Sequence, residues 1–110
     1  MDESVIKHLK QPYRERVLEG VPMKLSEAIR IGAKKRPQCS GTFFNDYGES
    51  CAMGAAMEVM FGASRMNVKI EHLKGATDHL PNDIYMDVIS MNDGGVTREQ
   101  IADWLEAKGF

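Results

Sequence analysis

The 110-residue sequence predicts an all-α fold, a single compact domain of four to six short helices around a central apolar helix at 51–61. Three observations predict it. Between Cys51 and Phe61 only Glu58 carries a charge, and a helix that is apolar nearly all round has to be covered by its neighbours. Elsewhere, apolar residues recur at helical spacing, most clearly Leu25, Ala28, Ile29, Gly32 and Ala33 at i, i+3, i+4, i+7 and i+8. Composition agrees: 43% hydrophobic residues with only 7% aromatic and eight methionines favour helix packing over the alternating Val, Thr and Tyr of a β-sandwich.

In chain order, residues 1–22 read as an N-terminal arm with one or two short helices, and 23–110 as the helical core domain. Val5, Ile6 and Leu9 share helical spacing, and Pro12 suits the first turn of a short helix from Pro12 to Glu19 closed by Gly20. The helix at 25–36 takes Ser26 as N-cap, and Pro37 ends it. Its stripe shrinks toward Gly32 and Ala33, which suits a close approach to the small residues Ala52, Gly54, Ala55 and Ala56 of the central helix. Residues 38–49 are irregular, with a short extended segment near 42–44 and a turn at Asn45-Asp46-Tyr47-Gly48. Of the adjacent Phe43 and Phe44, one is expected to pack inward and the other to lid the loop or meet a partner.

Ser50 and Gly62 are read as the caps of the central helix. Ser64 then caps a helix over 65–74 with Met66, Ile70 and Leu73 inward, although Met66, Val68 and Ile70 also fit a strand period. The helix at 82–91 turns Ile84, Tyr85, Val88 and Ile89 inward, and residues 91–95 form a turn. The final helix, 98–108, has the fullest local grammar. Thr97 and Gln100 form a capping box, and Val96 and Ile101 a hydrophobic staple. Ile101, Trp104 and Leu105 face inward, and Gly109 with Phe110 suits a Schellman stop. The three helices at 25–36, 82–91 and 98–108 are expected to pack on the central one.

The net charge of −2 gives no general attraction to nucleic acid or anionic lipid. The halves differ: residues 1–55 hold nine Lys/Arg against seven Asp/Glu, and residues 56–110 hold five against nine. The apolar run at 51–61 is too short to span a membrane. Met1 to Lys10 lacks a signal-peptide core, so a cytoplasmic location with Cys39 and Cys51 reduced is expected.

The strings Met23 to Ala33, Arg36-Pro-Gln38, Cys51 to Ala56, Asn92-Asp93 and Thr97 to Trp104 resemble a loose family of small uncharacterised bacterial and prophage-encoded proteins. The resemblance implies no catalytic residue. Some members of that family carry a Cys-Pro-x-Cys knuckle between the central and last helices, which this sequence lacks, so the resemblance implies no metal here.

Several residues invite a chemical reading. Cys51, at the start of a helix, has the outline of a cysteine-hydrolase nucleophile, because unpaired N–H groups there favour the thiolate. His72 or His79 and then Asn92 or Asp93 follow in the order a Cys-His-Asn site uses. The commoner role of such a cysteine is a small buried apolar residue. Arg30, Lys34, Lys35 and Arg36 form a basic patch able to touch phosphates, with Phe43, Phe44 and Tyr47 nearby to stack on bases. The competing role for those cations is a solvated helix end that complements the dipole. Asp78, His79 and Asp83 are too few for a dedicated metal site, and Ile89 and Met91 occupy the positions where a calcium loop before Gly94 needs ligands.

The expectation that follows is a small non-enzymatic binding or accessory protein, without cofactor, working through a protein partner or self-association. Its surface is expected at Lys34, Lys35, Arg36, Phe43, Phe44 and Tyr47, where irregular backbone, aromatics and charge coincide. The alternatives are a hydrolase using Cys51 and a nucleic-acid-binding accessory protein using the 30–36 patch.

Overall fold

A computed structural model describes residues 9–10, 14–15 and 23–110. The one or two short helices expected in the arm lie outside the described residues, apart from Leu9 and Lys10, which are not helical, and Arg14 and Glu15, which are. Five helices follow: α1 (Leu25–Ala33), α2 (Ala52–Phe61), α3 (Ile70–Ala76), α4 (Asn82–Asp93) and α5 (Arg98–Ala107). Among the described residues there is no strand, so the fold is all-α. The extended piece near 42–44 is reduced to isolated bridges, Ser50 pairing with Gln38 on one side and with Phe44 on the other.

α2 is the buried rod that its composition requires. Met53, Ala55, Ala56 and Met57 have no exposed surface, and Met60 and Phe61 almost none. Its one charge, Glu58, is neutralised by Arg36, whose Nε lies 3.0 Å from both carboxylate oxygens. Gly62 ends the helix in the left-handed region (φ 69°), where a Cβ is costly. The Lys10 N–H donates to Met60 O (2.8 Å), which satisfies one of the orphan carbonyls of that end.

α1 packs against α2 and α5, while α3 and α4 cover other sides of α2 and α4 also meets α5. The expectation that the last helix lies directly on the central one is thus corrected: α5 packs chiefly on α1 and α4. Close approach sets the α1–α2 contact. A Cβ built on Gly32 would stand 2.3 Å from Ala55 O, so a side chain there would collide with backbone. Val88, Ile101 and Leu105 complete the core with Ile29, all fully buried, and side chains of this size contribute about 1.5–3 kcal/mol each.

Several boundaries differ from the sequence reading: the helix expected over 25–36 ends at Ala33, with Lys34 as its C-cap. Lys24 is the N-cap residue of α1, and the buried Ser26 lies inside the first turn, its N–H donating to Phe110 O (3.2 Å). Cys51, not Ser50, caps α2, with Gly54 N–H donating to its Sγ (3.4 Å). The helix read from 65 begins only at Ile70. Ser64 to Val68 make a turn instead, closed by Val68 N–H to Ser64 O (3.0 Å) and Ser64 N–H to Asn67 Oδ1 (2.7 Å). Asn67 competes for the backbone, and Met66 and Ile70 are consequently exposed, at 81% and 59%.

α5 follows its sequence grammar. Gln100 N–H donates to Thr97 Oγ1 and Thr97 N–H to Gln100 Oε1, both at 3.2 Å. Phe110 N–H donates to Leu105 O (3.0 Å) past Gly109 at φ 91°.

Candidate functional site

Pro37 stops α1 and starts a loop that returns to α2 at Cys51. Its backbone is pinned by Ser50 N–H to Pro37 O, Cys39 N–H to Ser50 O and Cys51 N–H to Phe43 O, each 3.0 Å. The Phe43 carbonyl crosses directly over Gly54, where a Cβ would stand 2.1 Å from it. Asn45 Oδ1 accepts from Tyr47 N–H and Glu49 N–H, both at 3.0 Å, and this Asx turn with Gly48 at φ 77° holds Tyr47 out into solvent.

Two buried polar side chains hold this loop to the helices. Asn92, on the last turn of α4, is 2% exposed. Its Oδ1 accepts from Ala52 N–H (2.9 Å) and Gln38 Nε2 (3.1 Å), and its Nδ2 donates to Cys39 O (2.8 Å). It therefore caps α2 from another helix. Residues 91–93 are helical, not the expected turn, because Asn92 continues the inward row of Val88.

Arg98 is 4% exposed. Nη1 donates to Ser50 Oγ (2.9 Å) and Ser50 O (3.2 Å), and Nη2 to Arg36 O (2.6 Å) and Ala33 O (3.4 Å). Every acceptor is neutral, and burial pulls the guanidinium pKa down. A cation in the first turn of α5 opposes that helix dipole, but here it closes the carbonyl end of α1.

Against this frame lies a half-open cleft of about 400 Å³ between the loop at 41–43 and α4. Phe43, Met53, Tyr85, Met86 and Ile89 give it an apolar wall, and Cys51, Asn92 and Asp93 its polar points. Gly41 N–H donates to Asp93 Oδ1 (3.0 Å) and fixes one lip.

The hydrolase constellation does not assemble. Cys51 is 5% exposed, and burial raises its pKa above the ordinary thiol value, outweighing the lowering by Gly54 and Met53 N–H groups. Cys39 is also raised, first by burial. His72 stacks on Phe61 (5.2 Å between ring centroids) and accepts from Lys69 N–H at Nδ1 (3.2 Å). Phe61 closes the far end of α2 from Cys51, roughly 15 Å along the axis at 1.5 Å per residue. His79 sits on the α3–α4 linker, exposed, at φ 67°, with Nε2 3.2 Å from Asp78 Oδ2. Neither histidine lines the cleft.

The expected binding surface is split by the fold. Phe44 packs into the core (8% exposed), Phe43 lines the cleft and Tyr47 is 87% exposed. Lys34 and Lys35 are exposed, whereas Arg36 is held by Glu58, and Arg30 by Asp103 (2.6 Å) and Glu106 (2.7 Å). Two of the four cations of the basic patch are therefore spent on ion pairs.

Sequence reasoning missed the structural roles of Gln38, Asn92 and Arg98, and the outer wall of the cleft at Met86. The available signal was Asn92 itself, a polar residue on the apolar row of α4. Among the described residues no group of three or more His, Cys, Asp or Glu is arranged to hold a metal, and no helix is long and apolar enough to cross a membrane. A scan against family models, a search of curated proteins and a search of solved structures each returned no match for this chain.

Proposed function

We propose that this chain is a small non-enzymatic binding protein that works through a protein partner, which seats an apolar side chain in the cleft between the 41–43 loop and α4. The observation that carries this reading is the cleft itself. It is apolar, framed by a hydrogen-bonded loop, and bordered by Met86, which is 52% exposed. Concave apolar sites with a few fixed polar points are where proteins bind ligands and anchor residues. Cys51 offers its thiol there as part of a wall, without a base to activate it.

The test is capture of a partner from extract of the source cells by the immobilised chain, compared with its Met86→Asp variant. Met86 is solvent-exposed, so the variant is expected to keep its helical circular dichroism. A captured protein that is lost by about tenfold or more in the variant is expected. Undiminished capture by the variant contradicts the assignment of the cleft.

A further inference from the structure

Beside the cleft, α4 carries Asp83, Asp87 and Asp93 and no lysine or arginine. Among the described residues none of these three carboxylates is paired with a cation, in contrast to Glu58, Asp103 and Glu106, which are. Asp83, Met86, Ser90 and Asp93 follow one another at i, i+3, i+7 and i+10, one row along the helix surface. That row spans about 15 Å at 1.5 Å per residue. It places an exposed apolar residue between two carboxylates, whereas Asp87, two positions before Ile89 and so about 160° round the helix from it, faces away from the cleft. The cleft wall itself contains one carboxylate, Asp93, and no cation. A ligand that fills the apolar space meets Asp93 at one end of its α4 edge, with Asp83 beyond Met86 at the other.

We propose that the cleft binds an extended or helical polypeptide segment in which an apolar side chain is flanked by lysine or arginine residues. The apolar side chain enters between Phe43, Met86 and Ile89. The flanking cations pair with Asp83 and Asp93, at the two ends of the row that carries Met86, where such pairs steer association and select partners more than they add affinity. This deepens the reading above, since it names the partner's chemistry for the same cleft.

The test uses the full chain labelled with ¹⁵N and three synthetic peptides of equal length: a central leucine flanked by lysines, the same peptide with glutamates for lysines, and the same with serine for leucine. The leucine–lysine peptide is expected to shift the amide resonances of 41–43 and 85–93, with affinity falling as salt is raised. The other two peptides, and the Asp83→Asn/Asp93→Asn double variant with the first peptide, are expected to bind about tenfold more weakly; asparagine at 93 keeps an Oδ1 acceptor for Gly41 N–H. Equal binding of the glutamate peptide overturns the basic class but leaves the cleft as a docking site. Shifts confined to other surfaces, or none with any peptide, overturn the proposal. The docking reading falls with it only if Met86→Asp also leaves partner capture unchanged. Concentration-dependent shifts of 85–93 in the protein alone would make a second copy the occupant and overturn the proposal as well.

Discussion

Gly32→Val is expected to cost about 4 kcal/mol of folding stability, near the top of the range for single substitutions. The reason is backbone against backbone. A Cβ at Gly32 stands 2.3 Å from Ala55 O, 2.6 Å from Ala55 C and 2.8 Å from Ala55 Cα, and no rotamer change relieves a contact with a buried helix. α1 and α2 would have to separate, opening gaps around the fully buried Ile29 and Met53. Gly32→Ala makes the sharper comparison. In an open helix alanine gains about 1 kcal/mol over glycine, yet here a loss of about 2 kcal/mol is expected from the same clash. Urea unfolding of both variants, with the exposed Lys35→Ala as a reference expected within about 0.5 kcal/mol of the parent, checks this. A Gly32→Ala protein more stable than its parent would mean that α1 and α2 do not touch there.

Asn92→Leu is expected to cost about 3 kcal/mol, although leucine is close in size and more apolar. The substitution leaves Ala52 N–H, Gln38 Nε2 and Cys39 O without this partner in a site that is 2% exposed at Asn92. Ala52 N–H belongs to the first turn of α2, where Cys51 Sγ accepts from Gly54 N–H and Ala52 N–H is left to Asn92. The loss should be local as well as global. Amide exchange at Ala52 and through 39–43 is expected to accelerate more than exchange in α5. A variant as stable as the parent would show that the loop is held by its backbone bridges and that Asn92 is dispensable.

The two substitutions probe parts of the fold that differed in legibility. The close packing of α1 on α2 could be read from the sequence, because the shrinking stripe toward Gly32 and the small residues Ala52, Gly54 and Ala55 are local patterns. So could the capping box of α5 and the Gly62 stop, which depend on residues within one turn. The polar hub could not. Gln38, Asn92 and Arg98 act on groups 40 to 65 positions away in the chain; Asn92 stands out as a polar residue on an apolar row, but no local pattern names the partners of any of the three. Arg98 looks like an ordinary surface residue inside the Thr97 capping box. Only the fold shows that it closes the carbonyl end of α1. The same limit explains the candidate site. Cys51 and Asn92 do come together, as the order Cys, His, Asn suggested, but as a cap and its support. His72 was carried to the opposite end of α2 by a helix that starts five residues later than its spacing implied, once Asn67 closed the turn at 64–68. The cleft has a half-visible signature, since Phe43 and the apolar face of Tyr85 and Ile89 stand out in the sequence, while its closure by Met86 and Asp93 depends on how α4 is rotated.

Residue-resolved amide hydrogen exchange under native conditions tests the central claim, that α2 is a rod enclosed by the rest of the chain. The amides from Ala55 to Phe61 are expected to exchange only through global unfolding, with an opening free energy equal to that from urea denaturation, while α3 and the outer turns of α4 open at lower cost. Exchange in α2 that is faster than in α5, or that proceeds through local openings well below the global value, would contradict the enclosed rod.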